Sequence, residues 1–204
     1  PLFFKPKEYY VLVYDFAYKY FSDNSIKQKI KNRLTDFFSA IAFHRAKKIV
    51  AISIATGREI SDFFGVDKKK IVTIHLGWTA INKLSQKSVE DMPENYFMFI
   101  GTLKERKNVF SVVRAYADYK KKISAEIKLV IVGKRDDRSP YIQKINNYIK
   151  ENKLEEHIFF TGHTTDQQVA YIYAHARALV FPSLLEGFGM PPLEAMSFGV
   201  PVIN

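Results

Sequence analysis

The chain has 204 residues, 47% hydrophobic and 25% charged, which is the balance of a folded globular protein and excludes a disordered one. It has no cysteine, so disulfides and thiolate metal sites are excluded, and a reducing cytoplasm is the expected location. No basic-then-apolar leader and no run of about 18 apolar residues is present, so nothing reads as a targeting or membrane-spanning segment.

The net charge of +10 is uneven: residues 1–90 carry 16 Lys or Arg against 8 Asp or Glu, and residues 91–204 carry 15 against 13. A basic first half is either a solvated face or a surface for an anionic partner, such as a lipid surface or nucleic acid.

From Tyr9, "YYVLVYDF" is a β-branched and aromatic run that predicts a buried strand ending near Asp15. Asn24 and Ser25 form a capping pair. Ile26, Ile30, Leu34, Phe37, Phe38 and Ile41 then recur at helical spacing among lysines and arginines. This predicts an amphipathic helix with a basic outer face and an apolar stripe turned to the core. "KKIVAIS" predicts a strand, Thr56 to Phe64 a helix stopping at Gly65, and "KIVTIHLG" another strand. The stretch from Asn82 to Asn95 turns polar around Pro93 and predicts an interdomain linker.

Beyond it the alternation is regular. Strands "YFMFIG", "IKLVIVG", "HIFFTG", "ALVFP" and "VPVIN" are separated by helices expected over 108–121, 140–151, 166–174 and 190–198. Continuous apolar strands between helices predict an α/β fold with a parallel sheet covered on both faces. Three strands end at Gly101, Gly133 and Gly162, where the chain must turn sharply or meet a ligand closely. The last strand has barely begun at Asn204, so the chain reads as an excerpt truncated at both ends.

Ligands of open parallel sheets sit outside the carboxyl ends of the strands, near helix N-termini. In "GTLKERKN", Arg106 and Lys107 stand just before a helix expected to be capped by Asn108, which suits a diphosphate. The same cations, with Lys104, also make sense as a solvated loop balancing Glu105. The loop is neither a Walker P-loop nor a dinucleotide fingerprint.

The second candidate is "FPSLLEGFGMPPLEAMSFGVPV". Here Gly187 and Gly189 permit left-handed angles, and Pro191 and Pro192 pre-set a first helical turn. Glu186 precedes that helix and Glu194 lies about one turn inside it, placing both to face one cleft. Carboxylates are poor phosphate ligands and good acceptors for vicinal hydroxyls, so a nucleoside-diphosphate sugar would explain the mixture. The plain alternative makes Glu194 a helix-dipole residue and Glu186 a loop anion.

This second segment closely resembles the signature of the retaining glycosyltransferases of family 4, which have the two-domain GT-B fold. "FIGTLKERKN" resembles their diphosphate loop, and "LVIVG", "HIFFTGHTTDQQVAYIYAHA" and "VAISIATGREISDFFGVDKKKIVTIHLG" fall in the same order and spacing. The resemblance implies two Rossmann-like domains, both incomplete: residues 1–81 the end of an acceptor-side domain, 82–95 a linker, and 96–204 a nucleotide-sugar-binding domain.

By the same resemblance, Glu186 binds hydroxyls of the transferred sugar, and the amides of Gly187, Phe188 and Gly189 surround sugar and phosphate. Glu194, beside Leu193, holds the ribose. Arg106 and Lys107, beside Gly101, neutralise the diphosphate, and His163 and Thr164 lie near the nucleobase. No metal or other cofactor is then expected, because Arg106 and Lys107 replace it. The Asp136–Asp137 pair, set among Lys134, Arg135 and Arg138, reads as a salt-bridged surface loop.

One departure stands out. Many relatives carry a histidine at the end of the first strand, where this chain has Tyr14 followed by Asp15. Either these residues take over its role, or activity is impaired, or they are only a strand end and its turn. His75 reads as structural. The expected activity is transfer of a hexose, mannose or similar, from a nucleotide sugar to a glycan or lipid-linked acceptor. Peripheral contact with an anionic inner membrane face is also expected, and a nucleic-acid partner is not. The rival reading is a catalytically impaired binding module of the same fold.

Overall fold

The computed structural model describes residues 8–21, 25–77 and 80–204. Asn24, half of the expected capping pair, lies outside the described residues. Contacts divide the chain into two units. The first runs to Gly77 and takes in Glu186–Phe188, and the second holds the rest.

In the first unit β1 (Tyr10–Val13), β2 (Lys48–Ala51) and β3 (Ile71–Thr73) form a parallel sheet in that order. Val11 is registered on Ile49, and Ile49 on Ile71. Three helices accompany it: α1 (Ala17–Tyr20), α2 (Ile26–Arg45) and α3 (Ile54–Phe64). Ser25 caps α2 and Ser53 caps α3, their hydroxyls accepting from the amides of Gln28 and Thr56, and α3 stops at Gly65. The core gathers Val13, Ile49, Ala51 and Ile60 around Phe16, whose ring centroid lies 6.4, 5.7 and 5.5 Å from those of Phe43, Phe63 and Phe64.

The apolar stripe of α2 does not enter this core. Ile26, Ile30, Leu34, Phe37 and Phe38 are all exposed, Ile26 to 76%, and Phe43 is the one buried residue of the helix. The reason is length. Twenty helical residues reach about 30 Å, whereas strands of three and four residues span about 10–13 Å. Only the last turns of α2 meet the sheet. Its middle is tied instead to α1, where the Tyr18 hydroxyl donates to Asp36 (2.6 Å) and Lys19 pairs with the same carboxylate (2.8 Å).

The second unit is a five-stranded parallel sheet in the order β6–β5–β4–β7–β8, from β4 (Tyr96–Ile100), β5 (Lys128–Val132), β6 (Ile158–Gly162), β7 (Ala178–Val180) and β8 (Val202–Ile203). Its helices are α4 (Val109–Lys122), α5 (Pro140–Glu151), α6 (Asp166–His175) and α7 (Met190–Ser197). Strand periodicity divides the side chains between two cores. Phe97, Phe99, Leu129 and Ile131 face α4 and α5, whereas Tyr96, Met98, Val130 and Val132 face α6 and α7. Both faces of the sheet are therefore covered, which explains why its strands read as unbroken apolar runs.

The polar stretch expected as a linker packs with this unit. The contact boundary falls after Gly77, and Ile81, Val89 and Met92 join the core around Tyr96 and Met98. Ile81 just before the polar segment and two apolar residues within it are enough to pin it to a sheet.

Candidate active site

In the second unit, β4, β5 and β6 step one way across the sheet and β7 and β8 the other, so the order reverses at the β4–β7 pair. Loops leaving two such strands open a crevice at their carboxyl ends. The loops there are the two singled out from the sequence, 101–108 after β4 and 181–189 after β7.

They are laced together. The Arg106 carbonyl accepts from the Leu184 amide (2.9 Å) and the Ser183 hydroxyl (3.1 Å). The Arg106 guanidinium donates to the Leu185 carbonyl (3.3 Å), and the Asn108 side chain donates to the Pro182 carbonyl (3.2 Å). Asn108 sits at φ 57° and does not cap α4 with its side chain as expected, because that amide is turned across to the other loop. Arg106 and Lys107 form a single 3-10 turn ahead of α4.

Lys107 is 9% exposed, and its ammonium lies 5.5 Å from the centre of the Phe181 ring, with its stem beside Gly101. Among the described residues Lys107 is the only buried charged side chain. A desolvated cation acts on a neighbouring anion far more strongly than one in water.

Glu194 is half-buried on α7, and its carboxylate accepts the Tyr173 hydroxyl at 2.8 Å. Tyr173 is fully buried on α6 and stacks on Phe198, their ring centroids 5.5 Å apart. Burial above all, then the Glu194 charge and the hydrogen bond, holds this phenol far above its ordinary range, so it stays a donor. Sequence reasoning missed Tyr173; the capping box of Thr165 and Gln168, which sets the start of α6, was the available signal.

Of the glycine pair, only Gly189 takes a left-handed angle, φ 87°, just before α7. Gly187 is needed for close approach instead, since a Cβ there would run into the Tyr14 carbonyl oxygen. Pro191 and Pro192 fall in the first turn of α7 as expected, and Leu193 is exposed.

Gly101 and Thr164 line a cavity of about 550 Å³ at the carboxyl ends of β4 and β5, with His163 exposed nearby in sequence. Gly133 lies on the same wall, where a Cβ would collide with the Gly101 carbonyl oxygen.

Glu186–Phe188 group with the first unit, as do Tyr14 and Asp15. Tyr14 is exposed, and its carbonyl accepts from Thr56 (3.2 Å). The Asp15 carboxylate accepts the Ala17 amide (2.9 Å), which begins α1, so it has the turn-forming part of its expected roles. His75 is exposed, 5.5 Å from the Phe188 ring. The Asp136–Asp137 loop is salt-bridged as expected, Asp137 to Arg135 (2.5 Å) and Asp136 to Arg138 (3.3 Å). Among the described residues no group of three or more His, Cys, Asp or Glu is placed to hold a metal ion.

The two parallel sheets, one with a strand switch point, form an α/β protein, and the solved structures that share the arrangement show its fold to be of the GT-B type. A sucrose-phosphate synthase from Thermosynechococcus elongatus matches with TM-score 0.73 and 23% identity over 95% of this chain and 49% of its own. Anabaena HepE, solved with UDP and glucose, matches with TM-score 0.73 and 20% identity over 95% and 51%.

Residues 80–204, more than half of the chain, match the family Glycosyl transferases group 1, and the chain belongs to that family. It is 31% identical to the O-antigen chain mannosyltransferase RfbU of Salmonella typhimurium over 95% of this chain and 50% of the relative. It is 30% identical to the Escherichia coli O-antigen chain mannosyltransferase B over 78% and 43%. The chain spans about half the length of the curated relatives it matches.

Proposed function

We propose that this glycosyltransferase moves a hexose, mannose or similar, from a nucleoside-diphosphate sugar to a glycan or lipid-linked acceptor, with retention and without a metal, as a member of family 4. The observation that carries the reading is the lacing of the 101–108 loop to the 181–189 loop, which sets Arg106 beside the buried Lys107 at the switch point. Two cations there neutralise a diphosphate and the charge that grows on it as the glycosidic bond breaks, which lowers the barrier by electrostatic stabilisation of the transition state.

Glu194, held by Tyr173, accepts the ribose hydroxyls. Glu186 accepts hydroxyls of the transferred sugar, and the amides of Gly187, Phe188 and Gly189 surround it. Further support comes from the mannosyltransferase relatives and from the UDP that HepE binds. The test is incubation with radiolabelled UDP- and GDP-hexoses and lipid-linked or glycan acceptors. Release of nucleoside diphosphate with transfer is expected, and Glu186→Ala abolishes both while nucleotide binding persists. Donor binding without turnover for any acceptor would instead favour an impaired binding module.

The location proposed is cytoplasmic, peripheral to an anionic membrane face. Among the described residues no helix is long and apolar enough to cross a membrane. On α2 the exposed Ile26, Ile30 and Phe37 are interleaved with exposed Lys27, Lys29 and Lys31, the pairing that holds a helix at a lipid surface. Charge reversal at Lys27 and Lys31 is expected to release the protein from anionic vesicles; unchanged binding rejects the contact.

A further inference from the structure

The donor reading gives Glu186 and the amides beside it to the transferred sugar, and Glu186–Phe188 rest on the first unit. Gly187 lies so close to the Tyr14 carbonyl oxygen that a Cβ would run into it, and the same Cβ would stand 3.1 Å from Ile52 Cδ1. Phe188 meets His75, their ring centroids 5.5 Å apart. Side chains such as Ile52 and His75 can turn to follow a small shift of the loop. A main-chain oxygen against a glycine cannot, so the Tyr14 carbonyl is the firm point on which the loop is set.

One hydroxyl holds that oxygen. β1 ends at Val13, whose carbonyl takes the Ile52 amide (3.3 Å), so the Tyr14 carbonyl lies beyond the strand. It accepts from the Thr56 hydroxyl at 3.2 Å, across 42 residues of chain. Thr56 is 1% exposed on α3, and Ser53 Oγ lies 3.0 Å from the same hydroxyl. A carbonyl only accepts, so Thr56 spends its one proton on Tyr14 and takes the Ser53 proton in return. The start of α3 does not require this bond, since the Ser53 oxygen already accepts the Thr56 amide at 3.1 Å.

We propose, on the basis of the donor reading above, that Thr56 is a positioning residue for the sugar-binding loop. Its hydroxyl fixes the Tyr14 carbonyl, the carbonyl seats Gly187, and Gly187 sets the neighbouring Glu186 toward the sugar hydroxyls. Thr56 acts on the sugar half of the donor alone, because the diphosphate and ribose fall to Arg106, Lys107 and Glu194 of the second unit. The Tyr14 position thereby has a main-chain role that does not depend on its side chain.

Isothermal titration of the chain with GDP-mannose against GDP, and with UDP-glucose against UDP, tests this on whichever pair the unmutated chain binds more tightly. Thr56→Val keeps the volume and removes the hydroxyl. It is expected to shift the ratio of the two affinities about fivefold against the nucleotide sugar, the scale of one neutral hydrogen bond, while the nucleoside diphosphate binds as before. Thr56→Ala, which sets no methyl against the carbonyl, gives the same shift, and Thr56→Ser restores the ratio; circular dichroism checks the fold of each. Ser53→Ala weakens the start of α3 and lowers the melting temperature without moving the ratio. Gly187→Ala displaces the loop from the same oxygen, so adding Thr56→Val to it costs nothing more. A ratio unmoved in Thr56→Val and Thr56→Ala overturns the proposal, as does an equal shift in Ser53→Ala or additivity with Gly187→Ala. Those outcomes leave the donor reading standing. Failure of all four compounds to bind the unmutated chain removes the donor reading and the role of Thr56 together.

Discussion

Tyr173→Phe removes a single oxygen atom and leaves the ring stacked on Phe198, so its effect isolates the hydroxyl that holds Glu194. A hydrogen bond to a charged group contributes roughly 1.5–3 kcal/mol, and water can reach the half-buried Glu194 to replace part of it, so the lower end, about 1.5 kcal/mol, is expected. For a chain of this length that corresponds to a fall of about 3–6 °C in melting temperature.

Two further readouts separate positioning from mere stability. If Glu194 holds the ribose, the unmutated chain prefers a nucleoside diphosphate over its 2′-deoxy form, and Tyr173→Phe shrinks that preference because its carboxylate is no longer fixed. The alkaline arm differs as well. Tyr173 ionises well above its ordinary 10.0 in the folded chain, so its contribution is whole below pH 10 and is lost as pH rises further. The phenylalanine variant lacks that part of the loss. An unchanged melting temperature would show that the hydroxyl does not hold Glu194, and an unchanged 2′-deoxy preference would remove Glu194 from ribose binding.

Tyr116 has the same logic on the opposite face of the sheet. Burial first, then Tyr119 and the Glu126 charge, push it up to about 12, and its hydroxyl donates to the Ile127 carbonyl (2.8 Å). Between pH 10 and 12 its ionisation is expected to remove about 2–3 kcal/mol of stability, and Tyr116→Phe flattens that part of a denaturant-midpoint profile; an unaltered slope contradicts the assignment. Gly133→Ala drives a Cβ into the backbone oxygen of Gly101 at φ 152°, where no side chain can swing aside. A loss of at least about 2 kcal/mol in urea unfolding is expected, with weakened nucleotide binding, and a neutral result would mean that the two strand ends are not so closely set.

Most of the second unit was legible because its strands are buried on both sides and its helices alternate with them at short intervals. The α5 boundaries, Pro140 and Glu151, were readable outright, since proline opens the helix where its missing amide costs little. Arg106, Lys107 and Glu194 stand out in the sequence as charges beside glycine and proline signals. Tyr173 was not, because it lies 21 residues from Glu194 and only the packing of α6 against α7 brings the two together. The stripe on α2 was misjudged for a related reason: periodicity states that a helix has an apolar side, and the extent of the sheet decides how much of it is covered. Gly187 and Gly189 look alike in sequence, yet one answers a torsion angle and the other a neighbouring backbone.

The hydrogen bonds from Leu184 and Ser183 to the Arg106 carbonyl have an evolutionary consequence. Segments about 75 residues apart in the chain behave as one heritable part, so transplanting either alone into a related enzyme would sever the lacing at its main-chain knots. Recombination that keeps both together would carry the cationic corner across intact, whatever sequence fills the helices between.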